Sequence, residues 1–410
     1  MILLCYRKNI LKFLFATIIL FLLTDIQQKS REKYETYNEY DLYNYAYSYV
    51  NENSDNFYEK AHSDKQKYFN KRVAIEFMEN RQELDEEDRF ALLMGEYRLT
   101  LSDVVWINTQ YNKQGDISPT VYYDNVLMDM IIEEYQPRWN LTNIVQNEIT
   151  LDHRNLRRYN PSEYNYKLSE IRLKAASKID LYYNKTSPSF GITFYLSRFE
   201  GDLFMPILIA LLCFSIFSKL RENGYLKYIA TLKIGINRFA IKQYFAGFLL
   251  TLSAFAIYVT GYLIYANTYL PDLTILSAPI QIINGYQDFV YPLTIGGYIL
   301  LSINIKLLFT LFIYSITSII SLVSKNSIIS FALNLLLLLS LWSVSTTIND
   351  GAFKGILSGN LGVISAEQYV NIFDIPVYSP VVLIIAYILP IGIIAMAMYL
   401  FSRKLCNSGN

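Results

Sequence analysis

Few residues in this 410-residue chain belong to the types that carry out chemistry, and their spacing limits what they can do. Glu133, Glu134 and Arg138 spell EExxxR, a pattern that intramembrane proteases use. Here Pro137 interrupts it, the surroundings are polar, and no histidine-bearing membrane helix completes a site. The three therefore read as a surface charge cluster. The run ELDEED at 83–88 is dense in carboxylates but lacks the glycine and alternating oxygen ligands of a calcium loop, and reads as a solvated helix start. His62 and His153 are the only histidines, so histidine-based metal or acid–base sites are poorly supplied. GxxxxGK[ST], HExxH, GxSxG and CxxC are all missing from the sequence. It thus reads as a non-enzyme with no catalytic residues, metal ligands or nucleotide site of its own.

The elements that must position everything else follow from hydropathy. Hydrophobic residues make up 52% of the chain and fall in blocks at 9–24, 203–218, 244–267, 294–323, 326–347 and 378–402. Each block approaches the roughly 20 residues that cross a bilayer as a helix. The expected fold is a mainly α membrane protein with six transmembrane helices. Between the first two, residues 26–202 are polar but too rich in aromatic and aliphatic side chains to be disordered, and read as a mostly helical extracytoplasmic domain. Within it, SEYNYKLSEIRLKAASKIDLYY spaces its apolar residues by three and four, and Pro161-Ser162-Glu163 marks a helix start.

Basic residues set the orientation, because Lys and Arg in short loops are retained in the cytoplasm. Arg7 and Lys8 precede the first run and Lys12 lies in its first turn; Lys219, Arg221, Lys227, Lys233, Arg238 and Lys242 lie between the second and third. Lys325 lies between the fourth and fifth, and Arg403 and Lys404 follow the sixth. The opposite loops hold Asp25, Asp202, Asp272, Asp288, Asp350, Glu367 and Asp374, with Lys354 as their one clear basic residue. Both termini are expected in the cytoplasm, with residues 1–25 forming the cytoplasmic start and first span, and 203–410 the remaining five. TDIQQKSREK lacks a small-x-small cleavage site, so the first run reads as a retained signal anchor. Cys5, Cys213 and Cys406 all lie outside the exported domain, which must be held by its own core. Abundant Ile, Asn, Lys and Tyr suit a bacterium with AT-rich DNA.

Lys306 falls inside the fourth apolar run. Counted back from Lys325 at 1.5 Å per residue, it lies about 28 Å away, near the outer boundary of the bilayer core, and reads as a snorkelling lysine. Residues 294–305 would then project beyond the membrane or kink at Gly296-Gly297.

Between the second and third runs, SKLRENGYLKYIATLKIGINRFAIKQYF has amphipathic character through Leu226, Ile229, Leu232, Ile234, Ile236 and Ile241, with a break at Gly235 and Asn237. Such a helix–break–helix can lie among lipid headgroups or dock a cytoplasmic partner. In this loop the sequence resembles the permease subunits of ABC-2-type transporters. Glu222, Gly224, Thr231-Leu232, Ile236 and Arg238 match, in order and approximate spacing, that family's pattern of Glu and Gly, a Thr-Leu pair and a hydrophobic-x-Arg element. The resemblance extends in architecture over all six spans but is specific only in this loop.

The resemblance implies that the cytoplasmic loop 219–242 rests on a separate ATPase subunit. Glu222, Gly224, Tyr225, Thr231, Leu232, Gly235 and Arg238 would form the ATPase-coupling elbow. ATP and Mg would be bound by that partner, with no cofactor here, and two permeases, identical or different, would enclose one pathway. It also implies an outer re-entrant segment, for which residues 349–379 are the candidate. Expected partners are thus an ABC ATPase, a second permease and membrane lipid, with no nucleic acid. The expected function is export of a bacteriocin-like peptide or an amphipathic lipid-like cargo from a bacterial cell membrane. The alternative is a peptide-sensing or immunity module.

Tyr34, Tyr37, Tyr40, Tyr43, Tyr45, Tyr47 and Tyr49 follow the first run. Extrapolated as a helix, Tyr49 would stand about 36 Å beyond Asp25, out of reach of an interfacial aromatic belt. The spacing of two from Tyr43 to Tyr49 would put four rings on one face of a strand. Packing within the exported domain and contact with cargo or cell envelope are the two readings of Tyr43, Tyr45, Tyr47 and Tyr49.

Overall fold

The computed structural model describes residues 59–65, 118–181, 203–231, 236–268, 273–347 apart from 284, 288 and 290, and 369–407, with positions 192, 196, 199, 356, 357 and 359. The expected first span, the acidic run at 83–88 and the tyrosines at 34–49 lie outside the described residues.

The described chain is mainly helical. Helix α1, Ser118–Arg158, runs about 60 Å at 1.5 Å per residue. Pro119 stands in its first turn, where a missing N–H costs nothing, and Arg157 and Arg158 complement the negative end of its dipole. Helix α2, Tyr164–Ala176, starts where Pro161-Ser162-Glu163 predicted; Asn160 Nδ2 donates to Glu163 at 2.7 Å across the connecting turn. Arg172 of α2 bonds Glu148 of α1 and stands 3.5 Å from Asp152, tying the two helices together.

Four segments are long and apolar enough to cross a membrane: Phe204–Glu222, Ile236–Ile264, Ile295–Val323 and Ser379–Leu400. The first consists of α3, Phe204–Cys213, and α4, Ser218–Glu222, joined by a turn at 214–217. Helix α5, Tyr225–Thr231, follows, then α6, Ile236–Thr268, and α7, Ile295–Val323. Helix α8, Ser327–Thr347, occupies the expected fifth run, but its apolar stretch Ser327–Leu341 is shorter than the other four segments. Helix α9, Ser379–Asn407, is the last. Helix α7 is central, packing against α3, α6, α8 and α9.

Three expectations need correction. Lys306 does not snorkel: it is 1% exposed, enclosed by the helices around α7. Gly296 and Gly297 do not kink a span; they form the first turn of α7, where Thr294 accepts the Gly297 N–H at 3.1 Å as an N-cap. Arg138 is not at the surface: it is 1% exposed on α1, which continues through Pro137.

Residues 369–378, within the candidate re-entrant segment, form an antiparallel hairpin. Strand β1, Tyr369–Ile372, pairs with β2, Ile375–Tyr378, in the register Tyr369 to Tyr378. Phe373 and Asp374 make the turn at φ 51° and 60°. A two-residue turn with both φ positive matches strand twist but usually takes Asn-Gly. Asn371 compensates by accepting the Asp374 N–H at 2.9 Å.

Candidate functional site

The expected coupling residues sit at a corner built by backbone geometry. Helix α4 ends when Gly224 takes φ +72° and donates to the Arg221 carbonyl at 2.9 Å. That left-handed position strains any side chain with a Cβ, although open space surrounds it. The chain then re-enters a helix at Tyr225. On α5, Leu226 and Ile229 face inward, while Tyr225 and Tyr228 are 49% and 60% exposed. Helix α5 packs against α6 and α9, so its aromatic face points away from the bundle. Arg238 is exposed in the first turn of α6. Thr231 closes α5; Leu232 and Gly235 lie outside the described residues, as do Tyr43, Tyr45, Tyr47 and Tyr49.

Glu222 has an internal role that sequence reasoning missed. Its Oε2 accepts from Ser327 Oγ at 2.7 Å and from the Ser327 N–H at 3.4 Å, at the start of α8. Its neighbour Arg221 donates from Nη1 to the Val323 and Ser324 carbonyls at 2.9 and 3.2 Å, at the end of α7. The cation meets the negative end of one helix dipole and the anion the positive end of the next. Arg221 and Glu222 thus clamp both sides of the α7–α8 turn.

Serines continue the junction inward. Ser321 Oγ accepts the Phe217 and Ser218 N–H groups at 3.0 and 3.1 Å, and Ser330 Oγ donates to the Phe214 carbonyl. The non-helical turn at 214–217 therefore finds partners on α7 and α8, as buried backbone groups generally do. One turn further along, Ser315 pairs with the Tyr244 hydroxyl at 2.7 Å, and Tyr314 donates to the Tyr244 carbonyl at 2.7 Å. A signal for this was present in the sequence: Ser315, Ser318, Ser321, Ser324, Ser327 and Ser330 recur every third residue through two apolar runs. Small hydroxyl side chains at that spacing let helices approach closely.

A second junction joins α2 to the hairpin. Tyr164 donates to the Tyr369 carbonyl at 3.4 Å, and Lys167 Nζ to the Asp374 carbonyl at 3.0 Å. Tyr291 stacks on Tyr378 with ring centroids 4.3 Å apart, and Tyr369 packs beside them at 5.9 Å. Burial, then the neighbouring Tyr291 phenol, pushes the Tyr369 hydroxyl up to about 12; Tyr378 is pushed up further for the same reasons. Both hydroxyls are buried without a hydrogen-bond partner among the described residues. On α1, burial raises the Asp152 carboxyl above its usual range, against the pull of Arg172.

No cluster of three or more potential metal-binding side chains occurs among the described residues. The chain matches no protein-family model, no curated protein and no solved structure.

Proposed function

We propose that this chain is the membrane permease subunit of an ABC-2-type exporter, driven by a separate cytoplasmic ATPase. The observation that carries this reading is the corner at 221–229. A short helix presents Tyr225 and Tyr228 outward, while Arg221 and Glu222 at its root grip the α7–α8 turn. A partner pressing on α5 would push through the Gly224 corner on α4, whose Arg221 and Glu222 are bonded to the α7–α8 turn, which is what transmission of ATP-driven closure requires. In this reading six spans place both termini in the cytoplasm and residues 26–202 outside, and two permeases form the pathway. The cargo is a bacteriocin-like peptide or an amphipathic, lipid-like compound. Ile356, Leu357 and Gly359 would belong to the re-entrant part of the outer segment, since Ile356 accepts from Tyr387 at 2.7 Å within the bundle.

Co-expression with a candidate P-loop ATPase subunit, followed by reconstitution, tests the proposal. ATP-dependent accumulation of labelled cargo is expected, and Arg238→Glu or Glu222→Lys should abolish co-purification or uncouple ATP hydrolysis from transport. Wild-type behaviour of both variants would sink it.

The alternative, a peptide-sensing or immunity module, is supported by the second junction. Helix α2 holds a hairpin that runs into α9 with no residue between Tyr378 and Ser379, giving the polar domain a direct grip on a membrane helix. Ligand-stimulated ATPase activity without cargo movement would favour it.

A further inference from the structure

We infer that a cleft between α3, α7 and α8 is a binding site for one acyl chain of a membrane phospholipid, an inference independent of the export reading. The cleft holds about 190 Å³ and is lined by ten residues, all Leu, Ile, Phe or Pro. Ile207 comes from α3, Phe309 and Ile313 from α7, and Leu338 and Leu339 from α8. Leu357 supplies a wall from outside the spanning helices. That wall is fixed in place: Tyr387 donates to the Ile356 carbonyl at 2.7 Å, and Gly359 lies so close to Phe309 that a Cβ there would stand 2.6 Å from its ring.

Three physical arguments select the occupant. With no polar side chain among the described residues of its lining, the cleft offers water few partners and a polar ligand little anchor. An apolar cavity of about 150 Å³ lined by such residues stays dry and admits a slim apolar guest. Drug-sized ligands take roughly 300–1,000 Å³, so this cleft suits something narrower. Its rim is continuous with the outer face of the bundle, because Ile207 and Leu339 are both lining and exposed. Along a spanning helix that face meets lipid hydrocarbon, and an empty cleft would forfeit dispersion contacts that a chain end restores.

The test uses the full-length protein in phosphatidylethanolamine–phosphatidylglycerol liposomes containing a small fraction of phospholipid with a diazirine midway along one acyl chain. After irradiation, adducts mapped by mass spectrometry should include Phe309 and Leu338. Phe309 is 2% exposed, so lipid sweeping the outer surface scarcely reaches it. Leu338→Trp fills the cleft and should lower labelling of Phe309 at least fivefold, while adducts on the outward residues Ile385, Ile388 and Ile393 stay constant. If that variant fails to insert, Leu338→Ala widens the cleft and should raise labelling of Phe309. Labelling of Phe309 that is missing in the wild type, or insensitive to the variant used, overturns the inference. Labelling by a diazirine fatty acid but not by the phospholipid overturns the assignment to phospholipid.

Discussion

Glu222 Oε2 and Ser327 Oγ lie 2.7 Å apart, although 105 residues separate them in the chain. The contact lets a side chain from the end of one apolar segment satisfy the opening turn of another. With Arg221 on the preceding carbonyls, one dipeptide sets the angle between α7 and α8.

Glu222→Ala should therefore lower the stability of the detergent-solubilised protein by about 1 kcal/mol, as loss of a helix N-cap does. Glu222→Gln keeps an acceptor and should lose less. In a double-mutant cycle Glu222→Ala and Ser327→Ala should be less than additive, because either change removes the same bond. Full additivity in thermal unfolding would mean that the bond contributes nothing.

Gly247 has no room for a methyl group. A Cβ there would collide with the Tyr314 hydroxyl and stand 2.9 Å from ring carbon Cζ. Gly247→Ala should destabilise by roughly 1–3 kcal/mol through overpacking. Tyr314→Phe in the same chain removes the colliding oxygen and should restore part of the loss, even though Tyr314→Phe alone forfeits the bond to the Tyr244 carbonyl. Failure of the second change to help would place the strain elsewhere.

Tyr369→Phe and Tyr378→Phe remove buried hydroxyls that have no partner among the described residues. Each should leave the midpoint of thermal unfolding unchanged or raise it, because the hydroxyl is desolvated without a compensating bond. Tyr378→Ala should lower it, since the stack on Tyr291 goes with the ring.

Asp152 gives the α1–α2 pair a pH dependence of definite sign. Its carboxyl binds a proton more tightly in the folded protein than in the unfolded chain. The contribution favouring the fold is therefore complete below the ordinary carboxylate range and is lost as pH rises through the raised folded value. Wild-type stability relative to Asp152→Asn should fall as pH increases from about 4 toward neutrality. Circular-dichroism melts at several pH values read this directly; an opposite slope would mean that Arg172 outweighs burial.

The spanning helices were legible because apolar runs of that length carry their own signal, and four stand where hydropathy put them. Their edges were less so: α6 begins at Ile236, eight residues before the apolar run, because Asn237, Arg238 and Lys242 are compatible with a helix that projects from the hydrocarbon. Lys306 and Arg138 were visible as charges, but their burial depends on neighbouring elements that no local periodicity encodes. The hairpin was missed because its turn, Phe373-Asp374, lacks the glycine or asparagine that usually announces one. Exposure of Phe373 at 95% shows that packing did not choose it either. At the corner, the helix break was expected at Gly235 and Asn237, but α4 ends at Gly224 and Asn237 lies in the first turn of α6; the partners of Glu222 and Arg221 were not readable either. The periodic serines were the available clue.

The corner also constrains the order in which the protein can be assembled. Arg221 and Glu222 are synthesised before α5, α6 and α7, yet their acceptors and donors lie at residues 323–327. A contact of such long sequence separation forms late, after the intervening loop has been closed. Until α7 and α8 have packed against α3, the backbone turn at 214–217 has no Ser321 or Ser330 to bond. A partly assembled chain therefore carries an unsatisfied turn, and that defect distinguishes an unfinished molecule from a finished one.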